Sequence, residues 1–373
     1  MSSDRVLIYV SVFVIMGLSN AVIPVLPELT SAGQTTYDTT YSSMLFSSYF
    51  LGALITMLPF GILSDRYGYI RFITLGLLLT LVSGILLLTA SNLWILIIAR
   101  FVEGSACGAF FPAAFSLLSE YPKRKRYMGE FNFILNGGLA TGVALTGVLA
   151  DTSIRYGIFI FTIISPVVLL FAIHLSRKPV RTPDRIRKDA LVEITDKVKD
   201  SYRTLTYRPL ARIWIIVFVL IGANGVLLSL YPDYSLGTLT KSELGLSISI
   251  MYVSTMAASI LIAHTSLDHN VIIKWGILLG ALGVMIAIWS APVGFALLGI
   301  GSGFAMVGLP IAVSYANTDR GLAMGLYSTC TYGGLALVPI AAGILVIHVG
   351  FEWVFVLNGL ALGLTLLVRE RVE

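Results

Sequence analysis

Arg100 and Glu103 are the residues whose types and spacing could do chemistry. They stand in the stretch Arg100-Phe-Val-Glu103-Gly104-Ser-Ala-Cys-Gly108, followed by Pro112, inside an otherwise apolar run. Charges within a bilayer are costly and face a cavity or one another. Three residues apart, these two project from one face of a helix. Counted from Asn92 at ~1.5 Å per residue, the carboxyl falls near mid-membrane. Two readings are open: an internal ion pair that only fastens its helix to the neighbours, or a proton site. In the second, a low-dielectric surrounding favours the protonated carboxyl, while the guanidinium holds it ionised in one conformation and releases it in another. We favour the second.

The elements that must position this pair follow from composition. The chain has 373 residues, 57% hydrophobic and 12% charged, against about 25% charged in an ordinary soluble protein. A helix needs ~20 apolar residues to cross the hydrocarbon core, and only structures that satisfy their own backbone hydrogen bonds survive there. The expected fold class is therefore all-α integral membrane. Twelve spans are expected, at 7–27, 42–63, 72–90, 93–118, 129–150, 157–175, 213–235, 244–264, 271–289, 293–316, 322–346 and 353–368. The first run is read as a spanning helix rather than a cleaved leader. Cys107 and Cys330 both lie in apolar runs without metal or redox spacing and read as small packing residues.

Of the 25 Lys and Arg, 22 fall on the face that carries Arg5, Arg66, Arg71, the run 123–126, the middle loop and Arg369/Arg371; Arg155 and Lys241 face the other way, and Arg100 is within a span. The positive-inside rule makes the 22-residue face cytoplasmic, with both termini there, so the net charge of +5 reads as an orientation signal rather than a nucleic-acid footprint. The one long break, 176–212, holds eleven basic and five acidic residues and separates six spans (1–175) from six (213–373). Within it, Leu191, Ile194, Val198 and Tyr202 approach helical spacing, so a short amphipathic surface helix is expected over 189–205.

The two halves repeat. Phe13-Val-Ile-Met-Gly17 recurs as Phe218-Val-Leu-Ile-Gly222, and Pro27-Glu28 as Pro232-Asp233, both 205 residues on. Asp65 and Arg71 are matched by Asp268 and Lys274, Pro112 by Pro310, and Met128-Gly129, Gly137-Gly138 and Gly147 by Met324-Gly325, Gly333-Gly334 and Gly343. An even number of spans per copy gives the copies the same orientation, two parallel six-helix repeats about an axis along the membrane normal.

Between spans 2 and 3 stands a charged turn, Gly61-Ile-Leu63-Ser-Asp65-Arg66-Tyr-Gly68-Tyr-Ile-Arg71. Gly68 permits a tight bend, and Asp65 can accept hydrogen bonds or face a helix N-terminus. With the parallel halves and the long central loop, this turn resembles the major facilitator superfamily of secondary transporters, across essentially the whole chain. The superfamily motif Gly-x-Leu-x-Asp-Arg-x-Gly is met by Gly61, Leu63, Asp65, Arg66 and Gly68; Tyr69 and Ile70 replace the basic pair that follows, with Arg71 one position later. The resemblance implies that Asp65 latches the halves on the cytoplasmic side, with the segment near Gly321 as counterpart. Arg100-x-x-Glu103-Gly104 is similar to the family pattern Arg-x-x-Gln-Gly, Glu103 replacing Gln.

Span 5 carries Gly137, Gly138, Gly142 and Gly147, small residues that let helices approach closely. The antiport pattern of the export branch is met only in part, because Val143 and Thr146 replace its Pro and a Gly. Asn20, Tyr49, Asn136, Asn224, Tyr252, Tyr315, Tyr327 and Tyr332 lie inside spans. A cavity walled by Asn20, Tyr49, Asn136, Asn224, Tyr252, Tyr327 and Tyr332 would suit an amphipathic solute, although each alone also serves as a packing residue. The four histidines fall near span ends and are not expected to bind metal.

The resemblance implies alternating access by a plasma-membrane protein whose partners are a small solute, protons and lipid, working as a monomer without a cofactor. Proton-coupled export of small amphipathic solutes is the leading expectation. The alternative is a proton symporter or uniporter for a sugar or organic anion, with Arg100 binding a carboxylate. Neither a Walker-type phosphate loop nor the clustered carboxylates or Ser/His constellation of a membrane-embedded lipid-processing enzyme is present in the spans. An enzyme is not expected.

Overall fold

A computed structural model describes residues 3–31, 39–176, 208–314 and 320–367. The expected surface helix at 189–205, and Tyr315, lie outside them. The described residues form thirteen α-helices. In order these are α1 (Ser3–Ala21), a 3₁₀ turn (Ile23–Val25), α2 (Leu26–Ser31), α3 (Thr39–Tyr67), α4 (Tyr69–Thr89), α5 (Leu93–Ser119), α6 (Arg124–Leu149) and α7 (Tyr156–Ser176). They continue with α8 (Arg208–Tyr234), α9 (Lys241–Ala263), α10 (His269–Ile286), α11 (Ala291–Ser314), α12 (Arg320–Val349), α13 (Phe351–Leu364) and a closing 3₁₀ turn (Thr365–Leu367).

Eleven helical stretches among the described residues are long and apolar enough to cross a membrane, and Phe351–Leu367 is a shorter apolar helix. Among the described residues each of the twelve expected runs falls on a helix, the last one short. Span 1 is interrupted: Pro24 and Pro27 supply no N–H, and α1 gives way to the 3₁₀ turn and then to α2 within one continuous apolar stretch. The charged turn is also tighter than its sequence suggests. Asp65 and Arg66 belong to the last turn of α3, and the chain reverses at Gly68 alone, at φ 99°. A side chain at that φ would be strained, which explains a glycine there.

The chain divides into two units, one formed by Met1–Asp38, Met44–Lys188 and Leu236–Ser249, the other by Thr39–Ser43, Asp189–Ser235 and Ile250–Glu373. Inside the first, α1 packs on α6 and α7, and α4 packs on α5 and α7. Inside the second, α8 packs on α12 and α13, and α10 packs on α11 and α13. The scheme is one and the same, and one close approach recurs in both units. A Cβ built on Gly138 of α6 would lie 2.8 Å from the Phe13 carbonyl of α1; on Gly334 of α12 it would lie 2.6 Å from the Phe218 carbonyl of α8. Both glycines and both phenylalanines are repeat partners in the sequence.

Gly142 meets Gly17, and Gly104 and Gly52 seat α3 and α5 backbone to backbone, as Gly299 and Gly303 do for α9 and α11. Without a hydrophobic force between helices in lipid, such close van der Waals approach is what holds them together. Outward-facing apolar side chains such as Trp289, Leu261 and Val167 are left for the lipid. Gly138→Val is expected to overpack the α1/α6 seam by about 1–3 kcal/mol. Gly137→Ala, where a Cβ meets nothing within 4 Å, is expected to leave stability unchanged or raised. Thermal unfolding of the two purified variants in detergent checks both.

Candidate functional site

α5 begins where the Asn92 side chain caps it, accepting a hydrogen bond from the Trp94 N–H at 2.9 Å. From that start the helix carries Arg100 and Glu103 to a depth of ~11–15 Å, about half of a bilayer core. Arg100 is 1% exposed and Glu103 is fully buried. The Arg100 Nη1 donates to Glu103 Oε2 at 2.6 Å and to the Ser19 carbonyl at 3.1 Å. Ser19 lies in the last turn of α1, where helix carbonyls lose their own donors. The break in span 1 thereby supplies the guanidinium with an acceptor.

The guanidinium also sits over the Tyr49 ring of α3, 4.7 Å from its centroid, a cation–π geometry strengthened by the absence of water. The Tyr49 hydroxyl is in turn 2.9 Å from the Cys107 Sγ. Cys107, read from sequence as packing alone, is thus part of the polar cluster. Its position four residues after Glu103, on the same helical face, was the available signal. Three helices therefore converge on the pair within the first unit: α1 through Ser19, α3 through Tyr49, and α5 itself.

The cluster is not fully satisfied. Arg100 Nε is buried without a hydrogen-bond partner, while the Ser83 hydroxyl of α4 lies beside the Glu103 carboxylate. A buried ion pair does not repay its desolvation by attraction alone, and unmet hydrogen-bonding capacity adds to that cost. The second repeat has no such charge pair. At the offset that relates Pro112 to Pro310, Arg100 and Glu103 correspond to Leu298 and Gly301.

Other sequence-selected residues fall in both units. In the first, Asn20 donates to the Leu139 carbonyl at 3.3 Å and ties α1 to α6, while Asn136 donates to Asn132 within its own helix. In the second, Asn224 accepts from Ser302 at 3.0 Å, tying α8 to α11. Asn358, which sequence reasoning passed over, donates to the Ala223 carbonyl at 3.3 Å and ties α13 to α8. Tyr252, Tyr327 and Tyr332 are half-buried, Tyr327 packing beside the Trp214, Val313, Ala323 and Leu326 cluster.

At the turn, Asp65, Arg66 and Arg71 are exposed. The Arg66 guanidinium stands 5.5 Å from the Tyr67 ring centroid, and the Tyr69 hydroxyl lies beside Asp65. Tyr69 thus stands beside Asp65 where the superfamily motif has a basic residue. Gly61 lies against Pro112, a Cβ there being 3.3 Å from the proline ring. Gly321, expected to face Asp65, lies outside the residues whose side chains are described.

Repeated membrane-length apolar helices, with a buried arginine–carboxylate pair in the first unit, fit a membrane transporter, and the family match makes it one rather than an enzyme. Residues 8–316 and 293–372 match the Major Facilitator Superfamily profile, and the chain belongs to that family. It is 26% identical over 348 residues to a putative inorganic phosphate cotransporter of Drosophila ananassae, covering 84% of this chain and 69% of that one. It is also 26% identical over 369 residues to the quinolone resistance protein NorA of Staphylococcus aureus (strain MRSA252), covering 92% and 90%. Among solved structures, the nucleoside transporter NupG superposes with a TM-score of 0.75 at 13% identity, over 97% of this chain and 98% of that one, a likeness of fold.

Arg100→Met leaves Glu103 buried without its counter-charge and is expected to cost about 3–5 kcal/mol. Arg100→Met/Glu103→Gln is expected to recover most of that loss. Thermal unfolding of both variants beside the parent measures the difference.

Proposed function

We propose that the chain is a proton-coupled exporter of small amphipathic or hydrophobic solutes, an antiporter working by alternating access in the plasma membrane with both termini cytoplasmic. The observation that carries this reading is the Arg100–Glu103 pair, sealed from solvent and joined at 2.6 Å. In this conformation Arg100 holds the Glu103 carboxyl where water does not reach. A rearrangement of α1 or α3 would withdraw Ser19 or Tyr49 from the guanidinium, loosen the pair and open Glu103 to a proton. The cost of a half-satisfied buried pair makes two such states close enough in energy for a proton to choose between them. The breadth of similarity to a quinolone resistance protein supports an amphipathic cargo.

A second reading, proton symport of an anion, draws on the similarity to a putative phosphate cotransporter. In it Arg100 exchanges the Glu103 carboxylate for the substrate anion when Glu103 is protonated. Proteoliposomes with a trapped pH dye separate the two. Addition of a solute outside alkalinises the lumen for an antiporter and acidifies it for a symporter. Glu103→Gln is expected to abolish the pH response while the protein stays folded; an undiminished response in that variant removes Glu103 from the coupling step.

The turn at Asp65 is proposed as a conformational latch that holds through Asp65, Arg66 and Arg71, with Gly61 and Gly68 setting its backbone. Asp65→Asn is expected to shift the accessibility of single cysteines placed on the two membrane faces in opposite directions. Unchanged labelling at both faces counts against the latch.

A further inference from the structure

The acidic residue that follows the proline in each repeat, Glu28 after Pro27 and Asp233 after Pro232, has the same kind of partner in both units. In the first unit Glu28 Oε1 pairs with the Lys241 ammonium at 2.7 Å, and Lys241 also donates to the Pro24 carbonyl at 3.0 Å. In the second unit Asp233 Oδ1 accepts from the Ser42 hydroxyl at 3.1 Å, with both residues buried. Lys241 and Ser42 stand in the first turns of α9 and α3, the second span of each repeat. The chain follows one rule twice: the carboxylate closing the first span of one repeat binds the helix start that opens the second span of the other.

Glycines allow this on both sides. A Cβ on Gly147 of α6 would lie 2.5 Å from the Lys241 carbonyl, and one on its repeat partner Gly343 of α12 would lie 2.5 Å from the Ser43 hydroxyl. The helix starts are thus seated against bare backbone, within reach of the carboxylates. By connectivity, these helix ends lie on the membrane face opposite the Asp65 turn, since α3 begins at Ser42's end and finishes at Asp65.

We infer that Glu28–Lys241 and Asp233–Ser42 are a reciprocal pair of clamps that close the membrane face opposite Asp65, and that both must part for that face to open. They are unequal. An ammonium–carboxylate pair anchored additionally on the Pro24 carbonyl holds through two opposite charges, whereas Ser42 meets Asp233 through a charge-assisted hydrogen bond from a neutral hydroxyl. The Pro24 carbonyl is available because span 1 is broken there, so the same interruption that serves Arg100 also serves the clamp. The inference rests on membership of the transporter family and not on proton coupling.

Thiol labelling tests it without a substrate or a pH gradient. In purified full-length protein with Cys107→Ser, Cys330→Ser and Thr30→Cys, Lys241→Glu is expected to raise the maleimide-labelling rate of the buried thiol about fivefold. Glu28→Lys/Lys241→Glu, with the charges exchanged, is expected to return the rate to the parental value. Parental labelling in Lys241→Glu, or no recovery in the exchanged variant, overturns the clamp. On the same background, Ser42→Cys/Asp233→Cys is expected to form a disulfide and to slow labelling at position 30 until the bond is reduced. Failure to cross-link, or labelling at the parental rate in the cross-linked protein, overturns the reciprocal closure.

Discussion

Hydrocarbon offers a backbone no hydrogen-bond partner and gives apolar side chains no reason to prefer one another over lipid. The rest of this structure depends on how that constraint is met. Every described segment is helical or a tight turn, and the helices are joined by bare glycine backbone at chosen heights. Gly138 against Phe13 and Gly334 against Phe218 are the same joint made twice. With seams of this kind set by backbone contact, each unit keeps its geometry while large apolar side chains such as Trp289, Leu261 and Val167 face outward. The polar groups inside can then be few and specific.

The break in span 1 is where packing becomes chemistry. Prolines at 24 and 27 prevent one continuous helix, and the carbonyls released near the break are taken up by two cations, Ser19 by Arg100 and Pro24 by Lys241. One is deep and pairs with a fully buried carboxylate; the other is near the end of the span and pairs with a partly exposed one. A movement of α1 acts on both, which offers a physical route by which the state of a buried charge and the closure of one face affect each other. Coupling of this kind needs a shared two-state element rather than a chain of contacts.

The asymmetry between repeats points the same way. The helix scheme, the glycine seams and the terminal carboxylates are duplicated, whereas the charge pair on α5 has apolar and glycine counterparts on α11. Duplicated features are those any membrane bundle of this design needs for cohesion. The unduplicated one is costly and incompletely satisfied, and a costly unshared feature is the natural seat of a specific activity.

Hydropathy, repeat offsets and short motifs were enough to determine the helical membrane class, the runs that become spans, the duplication and the Arg100–Glu103 pair. Those properties depend on composition and on spacing along one helix, and both are local. The break in span 1 and the helical placement of Asp65 and Arg66 departed from expectation because apolar runs do not reveal where a backbone bends. The partners were beyond reach for a different reason. Ser19 and Tyr49 meet Arg100 from 81 and 51 positions away, Lys241 meets Glu28 across 213, and Asn20 and Asn224 turn out to tie helices together. Only close packing of several helices decides which face of each meets another, because that choice minimises backbone separation over the whole seam and is written in no single segment.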